Sequence, residues 1–233
     1  MSCLRRFFGV FFRPAATFRF LAGRPLWVDA LAIVLAAGAA FSYCVFPFAQ
    51  QDRLQTFKKS SAGFIEKHGE QQYAVAMARI EDKSRALDAF VVKPLIALTG
   101  FLFVSLIALS AGRAAGRSGY YLQVFSCFIH ASFVTTILGN AVRLALVTAR
   151  RTTLRASAGL AIFFPGLPAV STVYAALTQV DFFSLWTYGL FGLGLASSFK
   201  MSAGKGLAIA YALWVLRCLA GFAFVVVGQR FFL

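Results

Sequence analysis

Residues 26–48 read LWVDALAIVLAAGAAFSYCVFPF, and Asp29 is the one charge among them. A hydrocarbon core of ~30 Å is crossed by roughly 20 helical residues, so this stretch is long enough to span a bilayer. Ala32, Ala36 and Ala40 stand four apart, placing small side chains on one face where helices pack closely in lipid. Pro47 comes near the end of the stretch.

The same reading extends along the chain. Residues 94–111 form a second expected span, with Pro94 placed for its first turn. Residues 120–142 form a third, opened by Tyr120 and Tyr121. Residues 182–199 have Trp186 and Tyr188 near their start, where aromatic residues favour the membrane interface. Residues 206–228 form the last, interrupted by Arg217. Residues 158–180 are apolar and just long enough to cross, but Gly159, Pro165, Gly166 and Pro168 crowd their first half. Proline inside a helix costs about 3 kcal/mol, and broken helices at membrane depth survive where protein covers them. This segment is either a kinked span or a re-entrant hairpin. Composition agrees: 60% of residues are hydrophobic and 13% charged, against about 45–50% and ~25% in soluble domains. The fold expected is all-α, a polytopic transmembrane helix bundle of five spans plus one re-entrant or kinked segment, or six spans if 158–180 crosses.

Charge is distributed unevenly. Residues 50–90 hold seven basic and six acidic residues, leaving 16 basic and two acidic elsewhere. The excess positive charge sits between apolar segments and at the N-terminus. That pattern favours topology signals and anionic-lipid contacts over a polar nucleic-acid-binding face. Residues 1–25 interleave aromatic and basic residues, compatible with an uncleaved interfacial helix whose aromatics reach the headgroup boundary and whose Arg13, Arg19 and Arg24 stay wet. Residues 50–90 read as an extramembrane insert of two amphipathic helices meeting at Gly69, with Glu81 and Arg85 paired at i,i+4. With five spans and a cytoplasmic N-terminus, nine basic residues of short segments lie inside and five outside. With six spans the balance is eight to six. The positive-inside rule favours five. Arg143, Arg150, Arg151 and Arg155, which follow the third span, run against it in either arrangement.

Enzymatic signals are weak. His68 and His130 are the only histidines, and Ala203-Gly204-Lys205-Gly206 lacks the remainder of a phosphate-binding loop. Cys3, Cys44, Cys127 and Cys218 are too scattered for a metal or disulfide motif. No catalytic residue, cofactor or metal is expected. Ionisable residues within spans are candidate sites by default. They are Asp181 and Arg217, whose pairing would fix the bundle; His130, midway along the third span; and Asn140 with Arg143, which share a face near its end.

Three groups of residues carry a family resemblance. One is Arg13-Pro14, Phe18, Phe20 and Arg24-Pro25 ahead of the first span; another is Val92-Lys93-Pro94-Leu95 at the second. The third is Val180-Asp181-Phe182-Phe183-Ser184-Leu185-Trp186, followed by Gly192-Leu193-Gly194-Leu195, Ser202 and Lys205-Gly206. In this order they resemble prokaryotic members of the Yip1 family. The likeness covers most of the chain outside 50–90, which departs from the family's core pattern. It implies a non-enzymatic scaffold or organising protein of the bacterial cytoplasmic (inner) membrane, usually of five spans with a cytoplasmic N-terminus. Residues 26–233 would be its transmembrane domain. Eukaryotic relatives work with Rab-class GTPases through long cytosolic N-terminal regions. About 25 residues precede the first span here, so GTPase binding is not carried over. The partners expected are the bilayer, with anionic lipids, and a membrane protein or a second copy; nucleic acid is not among them. The alternative is a small transporter or channel subunit built around Arg217, Asp181, His130 and the broken 158–168 backbone.

Overall fold

A computed structural model describes residues 1–82, 86–169 and 171–232, and for 86–91 and 228–232 the backbone alone. The described chain is a helical bundle. It begins with α1 (Cys3–Phe12) and α2 (Pro14–Gly23), followed by α3 (Val28–Lys59). The polar insert contributes α4 (Ser61–His68) and α5 (Glu70–Glu81), and α6 (Ala86–Ala114) returns along the bundle. Next come α7 (Tyr121–Ala131), a π-helical stretch (Val134–Gly139) and α8 (Asn140–Arg150), together one long rod. A 3₁₀ turn (Leu160–Phe163), α9 (Thr172–Gln179), α10 (Phe182–Ser198) and α11 (Ala203–Phe232) complete it.

Among the described residues, four segments are long and apolar enough to cross a membrane: Val28–Lys59, Val92–Ala114, Tyr121–Arg150 and Ala203–Val227. The fifth rod, α10, has 17 residues and no charge, and is about 25 Å long at 1.5 Å per residue. Contacts between the rods fix their directions. The rings of Trp27 and Phe125 meet at one end of α3 (centroids 5.6 Å apart), and Asp52 meets Thr152 and Thr153 at the other, so α3 runs parallel to the α7–α8 rod. The Tyr121 hydroxyl donates to the Leu102 carbonyl, and Gly112 and Gly119 both lie against the Phe199 ring, so α6 runs antiparallel to them. Cys127 meets Ser198 while Arg143 meets Asp181, so α10 descends beside α7–α8. Gly192 lies against Leu207 and Gly221 against Gln179, so α11 ascends beside α10. The described residues therefore run the length of the bundle five times.

Residues 158–180 do not form a continuous kinked span. The α9 helix has eight residues, about 12 Å. Leu160 N–H donates to the Val180 carbonyl at 3.0 Å, Gly159 and Asp181 form an isolated antiparallel bridge, and the Tyr174 hydroxyl donates to the Leu154 carbonyl. The segment thus returns to the end of the bundle that it left. Pro165 and Pro168 fall in its irregular part, where no helical hydrogen bond is lost.

Two proline positions differ from expectation. Pro94 lies inside α6, not in its first turn, because the helix starts at Ala86. Pro47 lies inside α3, which continues through the polar residues to Lys59. Neighbouring helices make such interior prolines tolerable at membrane depth. The insert turns at Gly69 (φ 84°), a left-handed position suited to glycine. Phe57 stacks on Tyr73 (centroids 5.2 Å apart) and packs edge-on against Phe64, so the two amphipathic stripes face each other. The Gln50 side chain donates to the carbonyls of Ile80 and Glu81 and ties α5 to α3. Arg85, and with it the expected Glu81–Arg85 pair, lies outside the described residues.

The core sits where α2, α7 and α10 meet. Phe18, Phe133, Phe191, Phe199, Leu21, Ile129 and Leu195 are fully buried. Residues 1–25 are helical, as read, but much of their aromatic surface meets protein. Phe18 is wholly enclosed beside Cys127 and the bare backbone of Gly194. The Gln123 side chain donates to the Ala22 carbonyl at 2.7 Å, locking the end of α2 to the start of α7.

Candidate functional site

A polar junction of the bundle lies where the α7–α8 rod meets the start of α10. Asp181 is the N-cap of α10: its Oδ1 accepts from Ser184 N–H at 2.8 Å, satisfying a donor the helix leaves free. Its Oδ2 accepts from Arg143 Nη2 at 2.8 Å, and Arg143 Nη1 donates to Asn140 Oδ1 at 3.0 Å. The carboxylate is buried and the guanidinium partly exposed. Asn140 and Arg143 follow directly on the π-helical stretch, a wide turn of a kind common at functional sites. Gly139, within it, leaves room for the Phe183 side chain and the Arg143 guanidinium. The expected face shared by Asn140 and Arg143 is present, and Asp181 closes it.

The expected Asp181–Arg217 pair is not formed. Arg217 Nη1 donates to the Gln179 carbonyl at 3.5 Å, at the end of α9, while Arg143 neutralises Asp181. The reason is geometric. Arg143 projects from the rod that borders the start of α10, whereas Arg217 meets the last turn of α9 two residues earlier. Arg143 also accounts for one of the four arginines that run against the charge rule. Arg150 and Arg155 account for two more: their guanidinium groups donate to the Arg155 and Pro165 carbonyls, supplying donors to an irregular backbone.

His130 is fully buried in α7. Its Nδ1 lies 2.8 Å from the Ser126 carbonyl, which can only accept, so Nδ1 carries the proton in this bond. Its Nε2 has no partner among the described residues. Its ring packs edge-on against Phe133, which also meets Phe7 of α1. His130 is therefore not brought to the Asp181 junction.

Two carboxylates have partners that spacing along the chain did not reveal. Asp29, the lone charge of the first apolar stretch, pairs with Arg6 of α1, which is 4% exposed and also donates to the Met1 carbonyl. The available signal was that an acid in an apolar helix needs a cation; α1 supplies it by folding back. Cys3 sits beside this pair; burial first, and Asp29 next, push its thiol pKa up, which disfavours the reactive thiolate. Asp52, also buried, accepts from Thr152 Oγ1, Thr153 N–H and Thr153 Oγ1, and binds the insert end of α3 to the loop after α8.

The residues expected at the interface lie on the surface or near it. Arg13, Arg19 and Arg24 are exposed. Arg13 joins α1 to α2, and its carbonyl accepts from Thr17 N–H and Oγ1. Trp186 packs between Phe11 and Phe182.

A family model described as the Yip1 domain matches residues 8–225. Neither the curated proteins nor the solved structures gave a match. The matched region takes in α3 to α10, most of α11 and the Asp181 junction, and the chain belongs to the Yip1 family of membrane proteins.

Proposed function

We propose that this protein is a non-enzymatic organiser of the bacterial cytoplasmic membrane. It has five spans and a cytoplasmic N-terminus, and acts through contacts with proteins or anionic lipids. The observation that carries this reading is the outer face of α1. Leu4, Phe8 and Phe12 recur every four residues and are 71%, 55% and 78% exposed, and Arg5 and Arg13 are exposed beside them. The opposite face is held by Arg6 and Val10, both buried. An apolar stripe bordered by cations, fixed to a rigid bundle, suits the headgroup region or an acidic partner. The ends carrying Arg24, Arg113, Arg117 and Lys200 gather around Phe199 and the start of α7, which supports the orientation under the positive-inside rule.

The buried charges support the same reading, because they are used to join helices: Arg6–Asp29 ties α1 to α3, and Arg143–Asp181 ties α8 to α10. The transporter alternative draws less support, since His130 and Arg217 take separate backbone partners and do not converge on Asp181. The test is photo-crosslinking from position 8 in living cells, with flux measured in reconstituted vesicles. Discrete protein or lipid adducts at position 8, without protein-dependent flux, are expected. Solute or proton flux that Asp181→Asn abolishes would overturn the proposal.

A further inference from the structure

Two adjoining cavities open between α3, α6 and the elements packed on them. The inner one, about 230 Å³, lies between α3, α6 and the π-helical stretch. Its walls are largely apolar and include Gly38, Ala97 and Phe101, with Ser42, Lys93, Thr136 and Asn140 as their polar members. A Cβ added to Gly38 would meet nothing within 4 Å, so the space beside this glycine is open. The outer cavity, about 400 Å³, lies between the polar end of α3, the end of α5 and the start of the apolar part of α6. Its walls include Arg53, Arg79 and Lys93, against one carboxylate, Asp82. Ser42 and Lys93 line both cavities, so the two adjoin across these side chains.

Three cations converging on one pocket repel one another. Among the described residues the ion pairs are Arg6–Asp29 and Arg143–Asp181, so Arg53, Arg79 and Lys93 belong to neither. The pocket is shaped by structure: the bonds from Gln50 to Ile80 and Glu81 hold the end of α5, and with it Arg79, against α3. An apolar chamber at span depth therefore adjoins a cationic mouth at the polar end of the same helices. This pattern matches a molecule with a hydrocarbon tail and an anionic head. Arginine forks and lysine ammonium groups are the usual partners of phosphate oxygens.

We propose that these adjoining cavities together bind one phospholipid with an anionic headgroup, the side chains of Ser42 and Lys93 moving aside to let it bridge them. An acyl chain would occupy the chamber beside Gly38, and the phosphate would sit among Arg53, Arg79 and Lys93. The site lies on α3, α5 and α6, apart from the exposed face of α1, and goes beyond the function proposed above. It would make the protein a selective lipid binder at the end of the bundle that carries the polar insert.

The experiment uses the full chain purified in mild detergent. Its thermal unfolding is followed with added phosphatidylglycerol, phosphatidylcholine of the same acyl chains, or inorganic phosphate. Phosphatidylglycerol is expected to raise Tm by roughly 5 °C more than phosphatidylcholine at saturation. The triple variant R53A/R79A/K93A should lose that difference. Gly38→Leu, which fills the chamber without a clash at its Cβ, should lose most of the response to phosphatidylglycerol while unfolding normally in lipid-free detergent. The variant L4S/F8S/F12S, which alters the face of α1, should keep the full response, so this site and the proposed function fail separately. Equal stabilisation by the two lipids, a response unchanged in R53A/R79A/K93A, or an equal effect of inorganic phosphate would overturn the proposal.

Discussion

Arg143 and Asp181 are 38 positions apart in sequence, and Arg143 Nη2 lies 2.8 Å from Asp181 Oδ2. The pair joins the far part of the α7–α8 rod to the N-cap of α10. Asp181 therefore does two jobs, capping α10 and neutralising a guanidinium. Asp181→Ala should lower stability by about 3 kcal/mol, from a lost cap and a stranded, half-buried arginine. Asp181→Asn keeps the cap acceptor and should recover about 1 kcal/mol of that loss. Arg217→Gln should cost under 1 kcal/mol, since it removes one long bond to a carbonyl. Thermal unfolding of the three variants in detergent checks the ranking.

Helices α10 and α11 approach each other through glycine. A Cβ at Gly206 would collide with the Gly192 carbonyl and lie 2.9 Å from Ala196 N, both backbone atoms with nowhere to move. Gly206→Ala is expected to destabilise by about 2 kcal/mol, in the range of overpacked cores. Gly100, inside α6, has nothing within 4 Å of its Cβ position. Gly100→Ala should be neutral or stabilising by up to about 1 kcal/mol. Similar melting shifts at the two sites would contradict the close packing of α10 on α11.

Asp52 accepts three hydrogen bonds from Thr152 and Thr153. Asp52→Ala should release the 151–158 loop and cost about 2 kcal/mol, because a part-buried backbone donor and two hydroxyls lose their shared acceptor. Hydrogen exchange at Thr153 and Leu154 is expected to speed at least tenfold, while exchange in α7 stays unchanged. Asp52→Asn should fall between the two, since its amide keeps one acceptor oxygen.

The return of residues 151–181 to the end they left sets a labelling outcome. Leu154 is 44% exposed, and Lys205 is exposed at the opposite end, before α11 has risen along α10. With the native cysteines removed, cysteines at 154 and 205 should label from opposite sides of the membrane in intact cells. Labelling of both from one side would show that 158–180 crosses.

Cys3 offers a pH test outside the long rods. Its pKa is raised, first by burial and then by the Asp29 carboxylate, so its thiolate forms only at higher pH than an ordinary thiol's. The alkylation rate of Cys3 in the folded protein should therefore reach half-maximum above pH 9.0, the ordinary value. Unfolding should return it there. A midpoint below 9.0 in the folded protein would contradict the placement of Cys3 beside Asp29.

The long rods were legible because a run of about 20 uncharged residues has few other solutions. The turn at Gly69 and the broken 158–168 backbone were legible for a similar reason: glycine and proline constrain the backbone locally. The partners of charged residues were harder to read. Arg143 and Arg217 were both available to Asp181, and the choice depends on helix rotation and rod order, which periodicity does not encode. The pattern of residues 1–25 reads alike whether its aromatics face lipid or protein; Phe18 and Phe8 differ only in what folds against them. Asp52 looked like one of six acids in a polar insert, and nothing local distinguished it as a tether across 100 positions.

Phe18 and Gly194, in contact in the finished bundle, are separated by three-quarters of the chain. Helix α2 leaves the ribosome among the first segments, yet the groove that receives it is completed only when α10 has been made. During synthesis its aromatic side chains must wait elsewhere, at the bilayer surface or on an insertion factor. The N-terminal wedge would then serve as a late lock that closes over an assembled membrane domain. Chains interrupted before residue 182 would display that wedge, undocked, to whatever surveys the nascent membrane protein.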